Sequence, residues 1–514
     1  MMELLLMFVL ALMPILWLVL ALCGMKMEAW KASFGALIVS AALALGVWKM
    51  TPINAATAAL EGMAMAIWPI VIVIIAAVFT YNLTVHTGAM EVIKGMLTSV
   101  SSDKRVLVLL IGWCFGGFLE GMAGFGTAVA IPASMLMALG FDPIIAILAC
   151  LVSNGVPTMF GSIGIPTTTL ASITGLDPSQ LALTQALQVA PFVLVTPFLM
   201  VSIVGGGPKA LKGVLPITLI TGICVSVSEI ATAAFIGADL PMVVAAVVAL
   251  IVTFAVALKM KGEVPEEYRL EVPKSDEELT LNKALTAWAP FILIFVVLVL
   301  TSKLVPFING PLSSIKTTVN IYKGDPNATL TFTWINTPGV LILICGLVGG
   351  AIQGCPIGEM LGVLGKTAKQ MSKTILTMLA VLGCAKIMGY SGMIASIAAF
   401  FVSTLGGLYP LMAPVLGALG TFVTGSGTSS EVLFGSVQQS AAQAIGADEY
   451  WLCAANSLGV SAGKMLSPQS IAIGTASCGL IGKDGEVLGK VAVYAFGFVI
   501  VMAIFIQVGV MFGL

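Results

Sequence analysis

A carboxylate and three glycines interrupt an apolar stretch of the chain, LEGMAGFGTAVAIP at residues 119–132. Glu120 is a charge in a segment of membrane-like composition, and Gly121, Gly124 and Gly126 weaken a helix because glycine loses the most backbone entropy on folding. If the chain turns at these glycines, the next helix begins with free backbone N–H groups, which bind anions. The stretch therefore predicts an anion-binding turn beside an ionisable carboxylate. The residues predicted to bind a substrate here are Gly124, Phe125, Gly126 and Thr127.

A second glycine-rich cluster, TGSGTSSE at residues 424–431, has the same design in the other half of the chain. Its hydroxyl groups and the N–H groups of the helix that follows can donate hydrogen bonds to a bound carboxylate. Thr428 and Glu431 also fit the T-x-x-E capping box, in which Glu431 would only cap the following helix. Both interpretations stay open from the sequence. The residues predicted to bind a substrate in this cluster are Ser426, Gly427, Thr428 and Ser429.

Proline and glycine also interrupt two long apolar stretches, SNGVPTMFGSIGIPTTT at 153–169 and NSLGVSAGKMLSPQS at 456–470. Both patterns predict unwound membrane helices, which occur where the backbone lines a cavity. Lys464 in the second stretch is a cation at mid-depth, which can pair with a substrate carboxylate or with Glu431 as a structural partner. The first stretch contributes predicted substrate-binding hydroxyls at Ser162, Thr167 and Thr168.

Three acidic residues fall within apolar segments, Glu120, Glu229 and Glu431. Ionisable groups are costly enough in a membrane that a functional role is the first hypothesis, so all three are candidates for carrying a coupled proton. Glu120 could instead organise the anion site, and Glu229 could form a structural ion pair with Lys386. His86 is the only histidine, and it falls at a predicted span end, where an interfacial position is favoured over a proton relay.

The composition is that of a membrane protein with many spans. Hydrophobic residues make up 59% and charged residues 9% of the 514 residues, with a mean hydropathy of +1.09, values far from those of soluble domains. A net charge of −1 predicts no nucleic-acid partner. The nine cysteines are scattered singly without a CxxC pair, so they predict neither a metal site nor disulfides. No cofactor is expected beyond a coupling ion, which is H⁺ with Na⁺ as the alternative.

Apolar runs of about 20 residues, the length that crosses a bilayer, predict an all-α polytopic protein with about 12 transmembrane helices and two re-entrant helical hairpins. A charged stretch at residues 259–283 divides the chain into halves that share the order of their features, with Gly126 aligned to Gly427. The predicted parts are a first repeat at 1–212 with a hairpin at 105–140 and a broken helix at 142–174, two extra spans at 213–258, a charged cytoplasmic loop at 259–284, and a second repeat at 285–514 with a hairpin at 407–446 and a broken helix at 449–478.

Lysine and arginine residues predict the orientation of these repeats, because short cytoplasmic loops are enriched in them. With an external amino end and with hairpins at 105–140 and 407–446, 17 of the 23 Lys and Arg residues fall in inside loops and 4 outside. The first hairpin then opens to the cytoplasm and the second to the outside, so the repeats are inverted. Inverted repeats with broken helices are typical of secondary transporters, whose substrate site lies near the membrane midplane.

Residues 112–177 read GWCFGGFLEGMAGFGTAVAIPASMLMALGFDPIIAILACLVSNGVPTMFGSIGIPTTTLASITGLD. This stretch closely resembles the L-lactate permease family of bacteria, and TGSGTSSEVLFG with SAGKMLSPQSIAIG resembles the second half of that family. The resemblance covers essentially the whole chain. It implies proton symport of 2-hydroxy monocarboxylates, namely L-lactate, D-lactate and glycolate, in a multi-pass protein of the bacterial inner membrane. It also implies membership of the broader ion-transporter superfamily, in which paired hairpins and broken helices bind carboxylates and the site moves by an elevator motion.

Three functions stay open from the residues themselves. The first is a proton-coupled monocarboxylate symporter in the lipid bilayer. The second is a sodium-coupled dicarboxylate or other organic-anion carrier of the same architecture, favoured by the many Ser, Thr and Asn oxygens that can coordinate Na⁺. The third is a channel or a membrane-embedded enzyme, disfavoured because the sequence has no catalytic metal cluster and no filter-like repeat. Elevator carriers usually need a fixed scaffold, often dimeric, so a homodimer is a candidate assembly.

Overall fold

The computed structural model describes residues 2–124, 126–260, 263–270, 280–302, 304–480 and 483–513, without the side chains of Cys23 and Thr98. Phe125, one of the predicted site residues, lies outside the described residues. The described chain is helical apart from two antiparallel strands, β1 (Lys316–Val319) and β2 (Leu330–Thr333), with Lys316 opposite Thr333. The all-α prediction is therefore correct except for this small sheet.

The helices follow one another with short connections. They are α1 (Met2–Val19), α2 (Ala29–Gly46), α3 (Pro52–Met65), α4 (Ile72–His86), α5 (Ala89–Thr98), α6 (Lys104–Leu107), α7 (Gly116–Met122), α8 (Thr127–Ala138), α9 (Pro143–Gly155), α10 (Gly161–Thr174), α11 (Pro178–Gly205), α12 (Leu215–Phe235), α13 (Pro241–Lys259), α14 (Leu281–Thr301), α15 (Pro306–Ser314), α16 (Pro338–Ile352), α17 (Ile357–Gln370), α18 (Ser372–Ser391), α19 (Met393–Leu405), α20 (Met412–Thr424), α21 (Gly427–Ile445), α22 (Glu449–Leu466), α23 (Pro468–Ser477) and α24 (Asp484–Met511). Segments with π-helical bonding lie at Leu20–Gly24, Ala66–Val71 and Val108–Phe115, and 3₁₀ turns lie at Val156–Phe160, Pro208–Leu211, Glu266–Tyr268 and Gly406–Leu411.

Within the described residues, 12 helical segments are long and apolar enough to cross a bilayer, which agrees with the predicted number. The set differs in part from the predicted spans. It includes Lys104–Met122, the first arm of the predicted hairpin at 105–140, whereas Pro338–Ile352 has only 15 residues. By length and hydropathy, Lys104–Met122 therefore counts as a span although it is predicted as a hairpin arm, and Pro338–Ile352 falls short although residues 335–353 are predicted as a span.

The helices pack into two groups, which set the position of the site. In the peripheral group (α1 to α4, α14, α16 and α18), α18 packs against α2 and α3, and α16 packs against α4 and α14. The hairpin group (α6 to α13 and α20 to α24) contains the helix pairs α7–α8 and α20–α21. It also contains the interrupted helices α9–α10 and α22–α23, which pack against those pairs.

Aspartates fix the start of three helices in the hairpin group. Asp142 accepts a hydrogen bond of 3.0 Å from the Ile145 N–H at the start of α9, and Asp448 accepts one of 2.8 Å from the Trp451 N–H at the start of α22. Asp177 caps α11 in the same way. Such side chains satisfy N–H groups that have no partner within the helix, so these entry points are fixed by local sequence.

Glycines form the turns between the arms of both helix pairs. Gly124 and Gly126 have φ values of 58° and 86° between α7 and α8, and Gly425 has a φ of 71° between α20 and α21. This left-handed region is open to glycine and strained for residues with a Cβ atom. Gly124, Gly126 and Gly425 are therefore at the turns, as predicted, whereas Gly121 lies within α7 and packs against Val243 of α13.

The glycines of α22 have a different role from the predicted one. The helix is continuous through Gly459 and Gly463, and it ends only at Ser467, before Pro468. A Cβ atom at either glycine would overlap a backbone carbonyl of α20. Small residues four apart let two membrane helices approach closely. The prediction that residues 456–470 are unwound is therefore wrong up to Leu466, because these glycines serve helix packing.

Contacts between distant connections join helix ends that are predicted to lie on the cytoplasmic side. Glu28, between α1 and α2, forms an ion pair with Lys373 at the start of α18. His86, at the end of α4, lies 3.0 Å from Glu359 of α17. Arg269, in the connection after α13, forms a β-bridge with Asp103, just before α6.

Candidate functional site

A cavity of about 730 Å³ lies where the turns of the two helix pairs meet the interrupted helices. Its inner wall comes from both turns, from residues 158–166 and from residues 464–470, where α22 ends and α23 begins. Its mouth is formed by the α1–α2 connection and the start of α18. Of the residues predicted to form the site, those in its wall are Glu120, Gly126, Ser162, Ser426, Gly427, Thr428, Ser429 and Lys464.

Glu120 is a carboxylate held by a neutral partner in the wall of this cavity. Its side chain is buried, and Oε2 accepts a hydrogen bond of 2.7 Å from Asn154 Nδ2 at the end of α9. Gly161 leaves room for the other oxygen, since a Cβ atom there would lie 2.6 Å from Glu120 Oε1. The end of α9 thus provides the donor that orients Glu120, and Gly161 at the start of α10 provides the space that its other oxygen occupies.

The start of α10 is kinked by a left-handed backbone at Ser162, Ile163 and Gly164, with φ values of 48°, 57° and 67°. Ile163 is β-branched, and such a conformation costs about 1–3 kcal/mol, which surrounding contacts must offset. Ser162 Oγ donates a hydrogen bond of 2.9 Å to Ala123 O, which ties the break to the first turn. The predicted unwinding at 153–169 is present here, and it brings Ser162 into the cavity wall.

Lys464 supplies a positive charge to the same cavity. Its side chain is 8% exposed, and Nζ donates a hydrogen bond of 2.9 Å to Gly425 O in the second turn. No carboxylate oxygen of the described residues lies within 4.0 Å of Nζ, and Glu120 attracts it electrostatically from a greater distance. The alternative in which Lys464 pairs with Glu431 is therefore wrong.

The start of α21 is capped by Ser426. Its Oγ accepts a hydrogen bond of 3.3 Å from the Ser429 N–H. Glu431 is fully buried and accepts a hydrogen bond of 2.8 Å from Asn456 Nδ2 of α22. The capping box of Thr428 and Glu431 is therefore wrong, because the helix starts two residues earlier than the motif requires, at Gly427.

Ser429 Oγ, in the first turn of α21, is a buried polar group that is available to a ligand. The side chain is 1% exposed and lines the cavity, and Oγ has no hydrogen-bond partner among the described residues. Gly427 and Thr428 line the cavity beside it. The first N–H groups of a helix have no partner within that helix, so this end of α21 can donate several hydrogen bonds to an anion.

Several predicted residues lie outside the cavity wall, where their hydroxyl groups bond to backbone. Thr127 Oγ1 donates to Gly124 O at 2.8 Å, and Thr168 Oγ1 donates to Gly164 O at 3.1 Å. Thr167 Oγ1 lies 2.9 Å from Met159 O and 2.7 Å from Gln185 Oε1. These three hydroxyls, together with Gly124, stabilise the turns that shape the cavity.

Glu229 lies on α12, away from the cavity. The side chain is fully buried, and neither carboxylate oxygen has a hydrogen-bond partner among the described residues. Lys386 does not pair with it, as the alternative hypothesis required. Instead, Lys386 Nζ lies 3.0 Å from Glu61 Oε1, which also accepts a hydrogen bond of 2.7 Å from Tyr390. The Glu229–Lys386 pair is therefore wrong, since Glu61 of α3 occupies that role.

Sequence reasoning missed the residues that hold the carboxylates. Asn154 and Asn456 lie within the apolar stretches at 153–169 and 456–470, and a buried amide in such a segment is itself a signal of a partner. Glu61 follows a run of alanines at the beginning of a predicted span and looks like an interfacial residue. Thr158 and Gln469 line the cavity but carry no sequence signal of their own.

A cluster of charges lies at the mouth of the cavity. Glu28 bonds to Lys373 and lies 3.1 Å from Lys31, and these two lysines lower the pKa of the Glu28 carboxyl to about 2. Lys26 also lines the mouth. With Lys26, Lys31 and Lys373 against the single carboxylate of Glu28, this group of side chains has a net positive charge, which attracts anions. Together with Lys464 and the helix start at Gly427, the cavity can bind a small anion.

Relatives of known type match nearly the whole chain. A family model described as L-lactate permease matches residues 7–512. The L-lactate permease of Streptococcus iniae is 42% identical over 447 residues, which cover 87% of this chain and 93% of that protein. The glycolate permease GlcA of Escherichia coli (strain K12) is 34% identical over 511 residues, which cover 93% of this chain and 90% of that protein.

Two solved structures share the fold. The YdaH transporter of Alcanivorax borkumensis has a TM-score of 0.50 at 14% identity and covers 88% of each chain. MtrF of Neisseria gonorrhoeae has a TM-score of 0.50 at 12% identity and covers 93% of this chain and 94% of that chain. With permeases as relatives and 12 apolar segments, the protein is a multi-pass transporter of the bacterial inner membrane and not an enzyme. By the family match over residues 7–512 and by these identities, the chain belongs to the L-lactate permease family.

Proposed function

We propose that this protein is a symporter that moves small 2-hydroxy monocarboxylates, namely L-lactate, D-lactate and glycolate, together with a proton. Relatives named L-lactate permease and glycolate permease support this substrate class. The observation that carries the proposal is the presence of two opposite charges on one cavity. Glu120 and Lys464 are each bonded to a neutral group, Asn154 and the Gly425 carbonyl, and not to each other.

Lys464 is the group that neutralises the substrate carboxylate. A lysine ammonium has three hydrogens, and the hydrogen bond to Gly425 O uses one of them. Ser429 Oγ and the N–H groups at the start of α21 complete the anion site. The 2-hydroxyl of the substrate lies against Glu120, which accepts a hydrogen bond when ionised and donates one when protonated.

Charge balance links these two residues to coupling. The empty cavity holds one negative charge on Glu120 and one positive charge on Lys464, so its net charge is zero. A lactate anion bound with a proton on Glu120 also leaves a net charge of zero. A cavity with the anion alone, or with the proton alone, carries one net charge, which is costly to move through the bilayer interior. Only the empty and the doubly loaded cavity therefore cross, which gives electroneutral one-to-one symport.

The proposal includes inverted repeats, two re-entrant hairpins and an elevator motion in which the hairpin group slides along the peripheral group. In the predicted repeats, α2 is equivalent to α16, α4 to α18, α9 to α22 and α11 to α24. The packing supports this equivalence, because the contact of α18 with α2 has its counterpart in that of α4 with α16. Likewise, the contact of α11 with α22 has its counterpart in that of α24 with α9. The cavity is lined by the hairpin group on one side and by the α1–α2 connection, α2 and α18 of the peripheral group on the other. Sliding at this boundary would carry the bound anion without opening a continuous channel.

Uptake of labelled L-lactate into liposomes that contain the purified protein tests the proposed function. An inward proton gradient should drive accumulation that a protonophore abolishes, and unlabelled D-lactate and glycolate should compete, whereas dicarboxylates should not. Accumulation driven by a sodium gradient alone would assign the chain to the sodium-coupled organic-anion carriers. Flux that only equilibrates under both gradients would indicate a channel.

A further inference from the structure

Three side chains of metal-binding type meet outside the cavity. His86, the only histidine of the chain, lies with Nε2 3.0 Å from Glu359 Oε2. The Cys355 thiol is the third member, and the ligand atoms of all three residues lie within 4.8 Å of one another. No pattern in the sequence groups them, because His86 and Cys355 are 269 positions apart. The packing of α4 against α17 brings them together.

The surrounding contacts hold this cluster in place. Thr87 Oγ1 donates a hydrogen bond of 2.7 Å to Gln353 Oε1, which joins the end of α4 to the end of α16. Asn82 Nδ2 donates one of 2.9 Å to Thr367 Oγ1, which joins α4 to α17. The chain turns into Cys355 through Gly354, whose φ is 83°. The backbone of all three ligands is therefore positioned before any ion binds, which reduces the entropy cost of binding.

We propose that His86, Cys355 and Glu359 bind a zinc ion. An imidazole nitrogen, a thiolate and a carboxylate are the ligands that Zn²⁺ takes, and three protein ligands with one open position is a common zinc arrangement. The thiolate and the carboxylate would together balance the two charges of the ion. His86 and Glu359 have side chains that are 44% and 58% exposed, so the ion has an entry path, while Cys355 lies behind them at 9%.

The location fits a thiol ligand. The three residues lie at the end of α4, in the α16–α17 connection and at the start of α17. This side of the protein is predicted to face the cytoplasm, where thiols stay reduced. Zinc there would tie α4 to α17 at the edge of the peripheral group, apart from the residues that line the 730 Å³ cavity. Zinc should therefore stabilise the protein without competing with the substrate.

Competition titration of the purified, chelator-treated full chain with Zn²⁺ and a zinc-binding dye tests the site. The variants are His86→Ala, Cys355→Ser and Glu359→Gln, with Cys224→Ser as the control for loss of a thiol on α12, away from the cluster. Changes in outer-shell partners already weaken zinc binding about 10- to 100-fold, so loss of a ligand should weaken it at least as much. The control should bind zinc as the parent protein does.

Two readouts make the result decisive. Zinc should raise the melting temperature of the parent and of Cys224→Ser, but not of Cys355→Ser or His86→Ala. Cobalt in place of zinc should give a thiolate charge-transfer band that disappears in Cys355→Ser. Zinc affinity that is the same in the parent and in all three ligand variants, or a cobalt spectrum without a thiolate band, would overturn the proposal. Lactate uptake is not part of this test, so its outcome is independent of the proposed transport function.

Discussion

Lys464 and Glu120 carry opposite charges on the wall of one cavity, yet each is bonded to a neutral partner and not to the other. Lys464 Nζ donates to Gly425 O at 2.9 Å, and Glu120 Oε2 accepts from Asn154 Nδ2 at 2.7 Å. A direct ion pair would compete with a substrate carboxylate for the lysine. In the proposed transport cycle, this separation lets Lys464 bind the anion while Glu120 exchanges the proton.

Replacing Lys464 with methionine should weaken lactate binding. The change removes the one full positive charge that faces the inner cavity among the described residues. Truncating one partner of a buried charge pair typically costs about 2–5 kcal/mol of binding free energy. Calorimetry on the purified variant measures this. Lys386→Met is the matched control, because Lys386 is also a lysine within an apolar helix, 18% exposed, and it pairs with Glu61. Lactate affinity near that of the parent in Lys464→Met would remove this lysine from the site.

The Glu61–Lys386 pair should contribute to stability and not to binding. Lys386→Met leaves the Glu61 carboxylate buried with Tyr390 as a remaining donor. The remaining hydrogen bond from Tyr390 and the partial exposure of the Lys386 site reduce the loss of stability. We therefore expect the free energy of unfolding to fall by about 2 kcal/mol, less than for a fully buried pair. The melting temperature in detergent should fall, and the double variant with Glu61→Gln should recover part of the fall. A double variant less stable than Lys386→Met would contradict this account.

The charge cluster at the mouth should not set the pH dependence of transport. Hydrogen bonds from Lys373 and Lys31 lower the pKa of Glu28 from its ordinary value to about 2. A lowered pKa means that the stabilisation from this ion pair is complete above about pH 5 and is lost as pH falls towards 2. Glu28→Gln should therefore keep the pH profile of uptake between pH 5 and 8. A shifted midpoint in that range would show that Glu28 titrates during transport.

The orientation of the chain in the membrane is testable by cysteine labelling in intact cells. Glu267 lies in the connection after α13, which is predicted to be cytoplasmic, and Asn327 lies between β1 and β2, which is predicted to be external. A cysteine at 327 should react with an impermeant thiol reagent, and a cysteine at 267 should react only after the membrane is permeabilised. The parent protein measures background from the native cysteines. The reverse labelling pattern would invert the predicted topology.

Local sequence was sufficient for the turns but not for their partners. Gly124, Gly126 and Gly425 could be assigned to turns because only glycine readily adopts the left-handed conformation that each turn requires. The capping assignment failed because Ser426 and Thr428 both fit a helix start, and only the position of the first helical turn decides between them. Turns that require a glycine backbone conformation can therefore be predicted from the sequence. The choice of capping residue among several similar polar side chains cannot.

Pairings between side chains of distant helices could not be predicted from the sequence. Glu61 and Lys386 are more than 300 residues apart, and the choice of Glu61 over Glu229 depends on which helices pack against α18. Gly459 and Gly463 could equally mark an unwound helix or a close helix contact, because both require the absence of a Cβ atom. Only the position of α20 resolves that choice.

The central claim is that Glu120 carries the coupled proton, and two modes of lactate flux measured on one variant test it most directly. Glu120→Gln mimics the protonated carboxyl, so the loaded cavity stays neutral and lactate-for-lactate exchange should continue. The empty cavity then keeps the charge of Lys464. A charge costs about 2.5–3.5 kcal/mol at the bilayer centre, so the return of the empty, charged cavity across the membrane should slow about 100-fold. Proton-driven accumulation should therefore be lost. Glu229→Gln, a buried acid away from the cavity, should keep both modes. Equal loss of exchange and accumulation in Glu120→Gln, or normal accumulation in it, would contradict the account.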